Sequence, residues 1–298
     1  MHSTVRSSRY SDRFRQEGKY SIVAVRLKSA RMRGMELIDI GCNLTHDSFD
    51  SDRAQVLDRA REAGVVQMIV TGASEQGSKI ALQLAREHPG ELFATAGVHP
   101  HLASSFTDET EALLRELSSQ KEVVAVGETG LDYFRDLSPR DVQRDVFHRQ
   151  LKIGMDSGLP LFLHMRDAHS DFHAILREVR DQLRDVVVHC FTGSREELHD
   201  YLELDCHIGI TGWICDERRG THMKEFLEDI PANRLLIETD APYLKPRNLR
   251  PRVKSHRNEP RWLPWILNTV AEARDENSEA LALQTTANAR RFFRIPGL

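Results

Sequence analysis

Short, mostly apolar runs alternate with longer segments of helical hydrophobic periodicity from residue 35 to the end of the chain. Runs that are apolar on both faces are typical of strands in a parallel sheet that helices cover. Eight such runs predict strands at residues 36–40, 65–70, 92–98, 123–126, 159–163, 186–188, 206–211 and 234–237. The segments between them predict helices at about residues 51–63, 74–88, 139–157, 221–229, 259–274 and 279–292, with others beginning at Thr107, at Asp167 or His169, and at Ser194.

This repeated order of strand and helix predicts the fold class. Eight βα units at spacings of roughly 25–35 residues predict an α/β protein built as one (β/α)8 TIM barrel, with an extra C-terminal helix. A doubly wound sheet is the alternative fold. Neither a G-x-G-x-x-G nor a G-x-x-x-x-G-K-[ST] nucleotide-binding motif is present, so nothing in the sequence favours that alternative.

Length and charge divide the chain near residue 35. Residues 35–298 suffice for one barrel of roughly 250 residues, and the overall hydrophobic content of 40% is ordinary for a globular protein. Residues 1–34 carry nine bases and two acids without an apolar signal-peptide core. We expect them to form a basic, disordered extension, with a transit peptide or a true translation start at Met35 as the alternatives. The net charge of −4 leaves −11 on residues 35–298, so nucleic-acid binding there requires a local basic patch.

The four cysteines show no C-x-x-C spacing, so a zinc knuckle is not expected. They lie in or beside predicted strands, which favours reduced thiols in a cytoplasmic protein.

No apolar run approaches the roughly 20 residues of a membrane span, so no membrane partner is expected. We expect the protein to be a monomer.

Histidines and carboxylates follow the ends of several predicted strands. His99 follows strand three, Glu128 strand four, His164 strand five, His189 strand six and Asp240 strand eight. In a (β/α)8 barrel these ends ring the face on which active sites are built. Imidazole and carboxylate groups together can bind a divalent metal ion. The sequence therefore predicts a metal site whose ligands are Glu128, His164, His189 and Asp240.

Five motifs at these strand ends resemble those of the TatD-type metal-dependent deoxyribonucleases, a family of amidohydrolase-like barrels. They are A-G-V-H-P-H at residues 96–101, G-E-T-G-L-D at 127–132, H-M-R-D-A at 164–168, H-C-F-T-G at 189–193 and E-T-D-A-P-Y-L at 238–244. The resemblance extends from residue 35 to about residue 293. It implies a metal-dependent hydrolase that cleaves the phosphodiester bonds of nucleic acids.

The end of strand one departs from most of that family, which has D-x-H-x-H there. Gly41 and Asn43 stand at the two histidine positions. With the segments at residues 210–220 and 257–260, this substitution resembles the TatD exonuclease branch of the family. That implies a Mg²⁺-dependent exonuclease acting on single-stranded DNA and RNA from the 3′ end, with a link to repair of oxidised DNA. Losing two imidazoles also favours Mg²⁺, with Mn²⁺ as a substitute, because Mg²⁺ retains waters and phosphate oxygens as ligands.

The expected catalytic residues are Asp240, Glu128 and His99. Asp240 would act as general base or orient the attacking water, Glu128 would hold the metal ion, and His99 would hold a phosphate or assist the leaving group. The predicted substrate-binding residues are His101, Arg166, Asn43, Arg218 and Arg257.

Two groups of side chains could contact a nucleic-acid strand. Arg166 could bind a phosphate bidentately, although a salt bridge to a loop is the alternative. The basic stretch at residues 245–257 could follow a phosphate backbone. Tyr133, Phe134, Trp213 and Tyr243 follow strand ends and could stack an unpaired base, with burial at the barrel rim as the alternative.

Two other functions compete with the exonuclease. Related barrels hydrolyse small amides, lactones and phosphoesters, and the fold alone does not separate these reactions from nucleic-acid hydrolysis. The third candidate is a non-catalytic barrel that binds a partner. The missing histidine pair favours that third candidate, whereas the presence of Glu128, His164, His189 and Asp240 argues against it.

Overall fold

Eight parallel strands form one sheet with the order β1-β2-β3-β4-β5-β6-β7-β8, which confirms the predicted barrel. The structure is a computed structural model, and it describes residues 35–297. The strands are β1 Leu37–Cys42, β2 Val65–Val70, β3 Leu92–Ala96, β4 Val123–Asp132, β5 Leu161–Arg166, β6 Val186–Val188, β7 His207–Ile210 and β8 Leu235–Ile237. The predicted basic extension at residues 1–34 lies outside the described residues.

Helices follow the strands and cover the barrel. They are α1 Arg53–Glu62, α2 Glu75–Glu87, α3 Asp108–Ser118, α4 Arg140–Ser157, α5 His169–Val179, α6 Arg195–Glu203, α7 Leu263–Ala273 and α8 Ser278–Phe293. The helix starts predicted at Ser74, Thr107 and Ser194 are confirmed, because the side chains of these residues accept backbone hydrogen bonds at the starts of α2, α3 and α6. Within residues 35–297, none of these helices has the length and apolar character needed to cross a membrane.

The helix predicted at residues 221–229 is wrong. Two short 3-10 helices, His222–Glu225 and Leu227–Asp229, take its place between β7 and β8. The Thr221 side chain forms no capping hydrogen bond, and Phe226 leaves helical geometry at φ −138°. Without a cap, the segment breaks into two turns that still bury Met223 and Leu227.

Strand β4 is longer than predicted, and Glu128 lies inside it rather than after its end. Gly127 and Gly130 adopt φ of 140° and 144°, which side chains rarely tolerate. A Cβ at Gly127 would lie 2.2 Å from the carbonyl oxygen of Phe162, and one at Gly130 would lie 1.9 Å from that of His164. The two glycines therefore let β4 approach β5 closely, and β5 likewise continues past its predicted end at residue 163.

Backbone hydrogen bonds just beyond β8 complete the ring. The Asp240 N–H donates to the Gly41 carbonyl oxygen at 2.8 Å, and the Asn43 N–H donates to that of Ala241 at 2.7 Å. The Thr239 N–H donates to a carboxylate oxygen of Asp39 at 2.9 Å. We call these contacts between β1 and residues 239–241 the seam. The side chains of two seam residues, Asn43 and Asp240, are also hydrogen-bonded to each other.

The hydrophobic core has two parts. One lies between the sheet and the helices, and the other includes Ile38, Phe162 and Leu236 from strands β1, β5 and β8. Phe292 and Phe293 of α8 belong to this second cluster, so the C-terminal helix packs against the barrel strands. This apolar filling leaves the polar side chains gathered at the carboxyl ends of the strands.

Candidate active site and metal centre

Three imidazole rings surround one oxygen of the Glu128 carboxylate. The Glu128 Oε1 atom lies 2.7 Å from His189 Nε2, 3.1 Å from His164 Nδ1 and 3.4 Å from His99 Nε2. The carboxylate is only 6% exposed. The residues come from β4, from β5 and from the chain after β3 and β6, so the structure brings together these residues from four consecutive strands as the sequence predicted.

A buried glutamine positions the chain that carries His99. Gln150 of α4 accepts a hydrogen bond from the Val98 N–H at 2.8 Å and donates to the Val98 carbonyl oxygen at 2.9 Å. Its amide also donates to the Thr129 hydroxyl oxygen at 2.6 Å, which links the chain after β3 to β4. Sequence reasoning missed Gln150, because one polar residue on a helix gives no sign that it points inward.

The charges of this cluster are strongly coupled. Burial alone would raise the pKa of Glu128, but the charges of His99 and His189 and hydrogen bonds from His164 and His189 hold its pKa well below the usual range. Burial opposes charge on His189, yet the nearby carboxylates raise its pKa well above the ordinary value. Burial lowers the pKa of His99 to about 4. A proton on His189 thus supplies positive charge beside Glu128, whereas burial favours the neutral form of His99.

Each of two rings has a second buried carboxylate behind it. The Nε2 atom of His164 lies 3.2 Å from Asp132 Oδ2, which is also 2.7 Å from His101 Nε2. The Nδ1 atom of His189 lies 3.4 Å from Glu238 Oε2. A carboxylate behind an imidazole fixes the orientation of the ring and its tautomer, an arrangement common around metal ligands.

The donor set fits a cation. One ligand atom each from His99, Glu128 and His164 lie within 4.8 Å of one another, so one ion could contact all three. A cation there would supply the positive charge that protonated rings otherwise give to Glu128. This triad contains His99, whereas the sequence predicted His189 and Asp240 as ligands. His189 borders the triad through Glu128, and the ligand roles of His189 and Asp240 stay predictions.

Asp240 lies at the seam with its side chain partly buried. Its Oδ1 atom accepts a hydrogen bond from the Asn43 amide at 2.9 Å. Burial raises its pKa to about 7, and the charges of Glu128 and Glu238 add to that rise. A carboxyl group with such a pKa can exchange a proton near neutral pH. Asn43, predicted to bind substrate, is thus placed where it orients Asp240.

Glu238 is a site residue that the sequence analysis did not single out. Its carboxylate is fully buried and accepts a hydrogen bond from the Cys190 N–H at 2.6 Å. Its two oxygens occupy the space beside two glycines. A Cβ at Gly41 would lie 2.4 Å from Glu238 Oε2, and one at Gly209 would lie 2.7 Å from Glu238 Oε1. The glycine at the first family histidine position therefore makes room for a carboxylate.

The predicted substrate-binding arginines have different surroundings. Arg257 donates two hydrogen bonds to the Asp52 carboxylate, at 2.8 and 2.7 Å, and one to Glu259. Arg218 donates to both carboxylate oxygens of Asp216 at 3.2 Å. These two guanidinium groups are already neutralised within the protein, and their contacts with substrate stay predictions.

The family profile described as "TatD related DNase" matches residues 38–294. This chain belongs to the TatD-related DNase family. The match includes seven strands of the barrel in full and all but the first residue of β1, and the resemblance to this family is thereby confirmed. The cluster of histidines and carboxylates described above lies at the strand ends of this TatD-family barrel.

Two curated relatives of this TatD-family chain carry the same name. A protein of Erwinia billingiae named "3'-5' ssDNA/RNA exonuclease TatD" is 50% identical over 260 residues, which cover 87% of this chain and 100% of that protein. A protein of Pantoea vagans with the same name is 49% identical over 259 residues, with the same coverage of both chains.

Solved structures agree with the barrel. The structure of "YJJV, TATD Homolog from Escherichia coli k12" has a TM-score of 0.79 and 29% identity, and the match covers 87% of this chain and 98% of that one. A hydrolase of the TatD family from Entamoeba histolytica has a TM-score of 0.77 and 26% identity, with 88% and 99% covered. An organophosphorus hydrolase of Deinococcus radiodurans, at 14% identity and a TM-score of 0.58, shares the fold alone.

Proposed function

We propose that this TatD-family enzyme is a metal-dependent 3′→5′ exonuclease that hydrolyses phosphodiester bonds of single-stranded DNA and RNA. One observation carries the proposal: three imidazoles converge on the Glu128 carboxylate at the mouth of the barrel. The enzyme's relatives named as exonucleases on these substrates match it at about half of all positions over their full length.

The site residues divide the chemistry between them. His99, Glu128 and His164 would hold the metal ion, which when bound supplies polarisation of a phosphate oxygen and a lowered pKa for an attacking water. Asp240, whose pKa is raised to about 7 by burial, would accept the proton of that water. The Asn43 amide keeps the Asp240 carboxylate oriented through its 2.9 Å hydrogen bond.

We propose Mg²⁺ as the ion in this site, with Mn²⁺ as a substitute. Waters and phosphate oxygens complete the oxygen-rich shell that Mg²⁺ requires. The imidazoles of His99 and His164 also suit Mn²⁺ and Zn²⁺, so the three ions should be compared directly. Activity with Zn²⁺ alone would contradict this assignment.

The test is degradation of a single-stranded oligonucleotide labelled at its 5′ end, with each ion and with chelator. We expect a metal-dependent ladder that shortens from the 3′ end in the wild type and is lost in Glu128→Gln. Glu91→Gln is the matched control, because Glu91 precedes β3 at the opposite end of the barrel and pairs with Arg61. A Glu128→Gln variant as active as wild type would contradict the role of this cluster.

The same assay separates the competing functions. If the wild type leaves DNA and RNA intact with all three ions but hydrolyses small phosphoesters, lactones or amides, the second candidate replaces the exonuclease. If it hydrolyses none of these substrates, the non-catalytic barrel replaces both. Three further predictions stay open to test. The link to the repair of oxidised DNA can be tested by the damage sensitivity of a deletion strain, the monomeric state by sedimentation, and the cytoplasmic location by cell fractionation.

A further inference from the structure

Arg166 lies at the end of β5, two residues after His164. Side chains at positions i and i+2 of a strand point to the same face, with about 7 Å between their Cα atoms. Arg166 therefore stands above His164 on the side of the barrel mouth. Its neighbour across the strand pair is Asp132, whose carboxylate holds the His164 ring.

Two aromatic rings stack on the Arg166 guanidinium. Its central carbon lies 4.3 Å from the centre of the Phe134 ring and 5.4 Å from that of the Trp213 ring. The rings come from the loops after β4 and β7, so two loops and the end of β5 meet in this contact. The guanidinium of Arg219 covers Trp213 at 4.1 Å. We call Phe134, Arg166 and Trp213 the mouth stack.

Arg166 lacks the acid partner that several other arginines near the mouth have. Arg218 and Arg219 share Asp216, and Arg257 is paired with Asp52. Within residues 35–297, the Arg166 guanidinium forms no ion pair or hydrogen bond, and its contacts are those with the two rings. Stacking holds its plane while its N–H groups remain available. Such a group is suited to bidentate binding of a phosphate.

Phe134 is a large apolar residue that is more than half exposed. It is 55% exposed, although the Arg166 guanidinium packs against it. An exposed ring beside a cation and next to a nuclease site offers a surface for an unpaired base. A base-paired strand has no such free face, so this ring would favour single strands.

We propose that the mouth stack is a nucleotide-binding subsite for single-stranded nucleic acid. The Arg166 N–H groups bind one phosphate of the strand, the exposed Phe134 ring stacks one unpaired base, and Trp213 supports the guanidinium. This proposal rests on the proposed exonuclease function, because it assigns the subsite to the same substrate.

The first test measures binding of a labelled single-stranded oligonucleotide by fluorescence anisotropy in chelator, where no cleavage occurs. We expect Arg166→Gln to raise the Kd about 10-fold or more and to reduce the slope of log K against log salt by about 0.7, as loss of one phosphate contact on a single strand requires. Arg149→Gln is the matched control, because Arg149 also stacks on an aromatic ring, Phe106, but pairs with Glu111 and Asp108.

The second test concerns the base. Phe134→Ala should raise the Kd by about 5- to 100-fold, as loss of one stacked base predicts. A series of oligonucleotides should carry one abasic nucleotide each, at a different place in each oligonucleotide. We expect the wild type to bind one member of this series more weakly than the others. With that oligonucleotide, Phe134→Ala should show no further loss of affinity, because the missing base and the missing ring are the two partners of one stacking contact. Phe134 is exposed, so this variant should keep the wild-type melting temperature.

The outcomes separate this inference from the proposed function. If the wild type neither binds nor degrades single strands, the proposed function fails and the subsite fails with it. If the wild type degrades them but Arg166→Gln and Phe134→Ala bind within twofold of wild type, only the subsite is overturned. An abasic penalty that is equal in wild type and Phe134→Ala overturns the stacking contact.

Discussion

Replacing Gly41 by alanine tests whether this glycine makes room for the buried Glu238 carboxylate. The added methyl group would lie 2.4 Å from Glu238 Oε2 and 2.8 Å from the Phe162 ring carbon Cζ. Neither neighbour can move freely, since both side chains are fully buried. Glu238 is further held by the hydrogen bond from the Cys190 N–H.

Two costs add to give the expected magnitude. Overpacking of a well-filled interior destabilises by about 1–3 kcal/mol. Displacing Glu238 weakens a hydrogen bond to a charged group, which contributes about 1.5–3 kcal/mol. We therefore expect Gly41→Ala to lower the free energy of unfolding by about 3–5 kcal/mol. For a domain of this size, the melting temperature should fall by roughly 6–10 °C.

Urea and thermal unfolding of the metal-free protein provide the assay. Gly297→Ala is the matched control, because an added methyl group there would meet nothing closer than 3.9 Å. The effect of Gly41→Ala should shrink in a Glu238→Ala background, where the crowded carboxylate is absent. A Gly41→Ala variant within about 0.5 kcal/mol of wild type would refute the reasoning. An equal loss in the Glu238→Ala background would assign the clash to Phe162 instead.

Two further predictions concern buried carboxylates. Glu238→Gln keeps the acceptor for Cys190 but removes the charge behind His189. With His189 as a metal ligand, as the sequence predicts, metal affinity measured by calorimetric titration should therefore fall about 10- to 100-fold; an unchanged affinity would contradict that ligand role of His189. Burial raises the pKa of Asp39 to about 8, so the folded state favours its protonated form. Its contribution to stability is therefore complete below pH 4 and is lost as the pH rises towards 8. Relative to Asp39→Asn, the free energy of unfolding of the metal-free wild type, measured with urea, should fall by up to roughly 1 kcal/mol per pH unit over that interval. Parallel plots of this free energy against pH for the two proteins would contradict the raised pKa of Asp39.

The sequence predicted the barrel and the main members of the cluster because both depend on local patterns. Each apolar run marks a strand, and a histidine such as His164 or His189 near its end must face the barrel mouth. The runs did not show that β4 continues to Asp132, because its glycines and polar residues read as a turn. Residues 129–132 belong to β4 because they pair with residues 163–166 of β5.

Contacts between residues that are distant in the sequence determine the features of the site that the sequence did not predict. Glu238 looked like one more polar residue after a strand, and its place inside the barrel depends on Gly41, which is nearly 200 residues away in the sequence. Arg257 was expected to meet substrate, yet Asp52 binds it from another part of the chain. A single sequence does not reveal which acid an arginine will meet.

Local opening of the barrel at the seam would also disrupt the candidate active site. Asp240 and Asn43 form backbone hydrogen bonds across it, and their side chains also bond to each other. Any transient separation of β1 from the chain after β8 must therefore dismantle this carboxylate arrangement. A ligand held at the mouth would oppose that separation. Slowed amide exchange at Asn43 and Asp240 would then report binding from the backbone itself, without any change in the shape of the barrel.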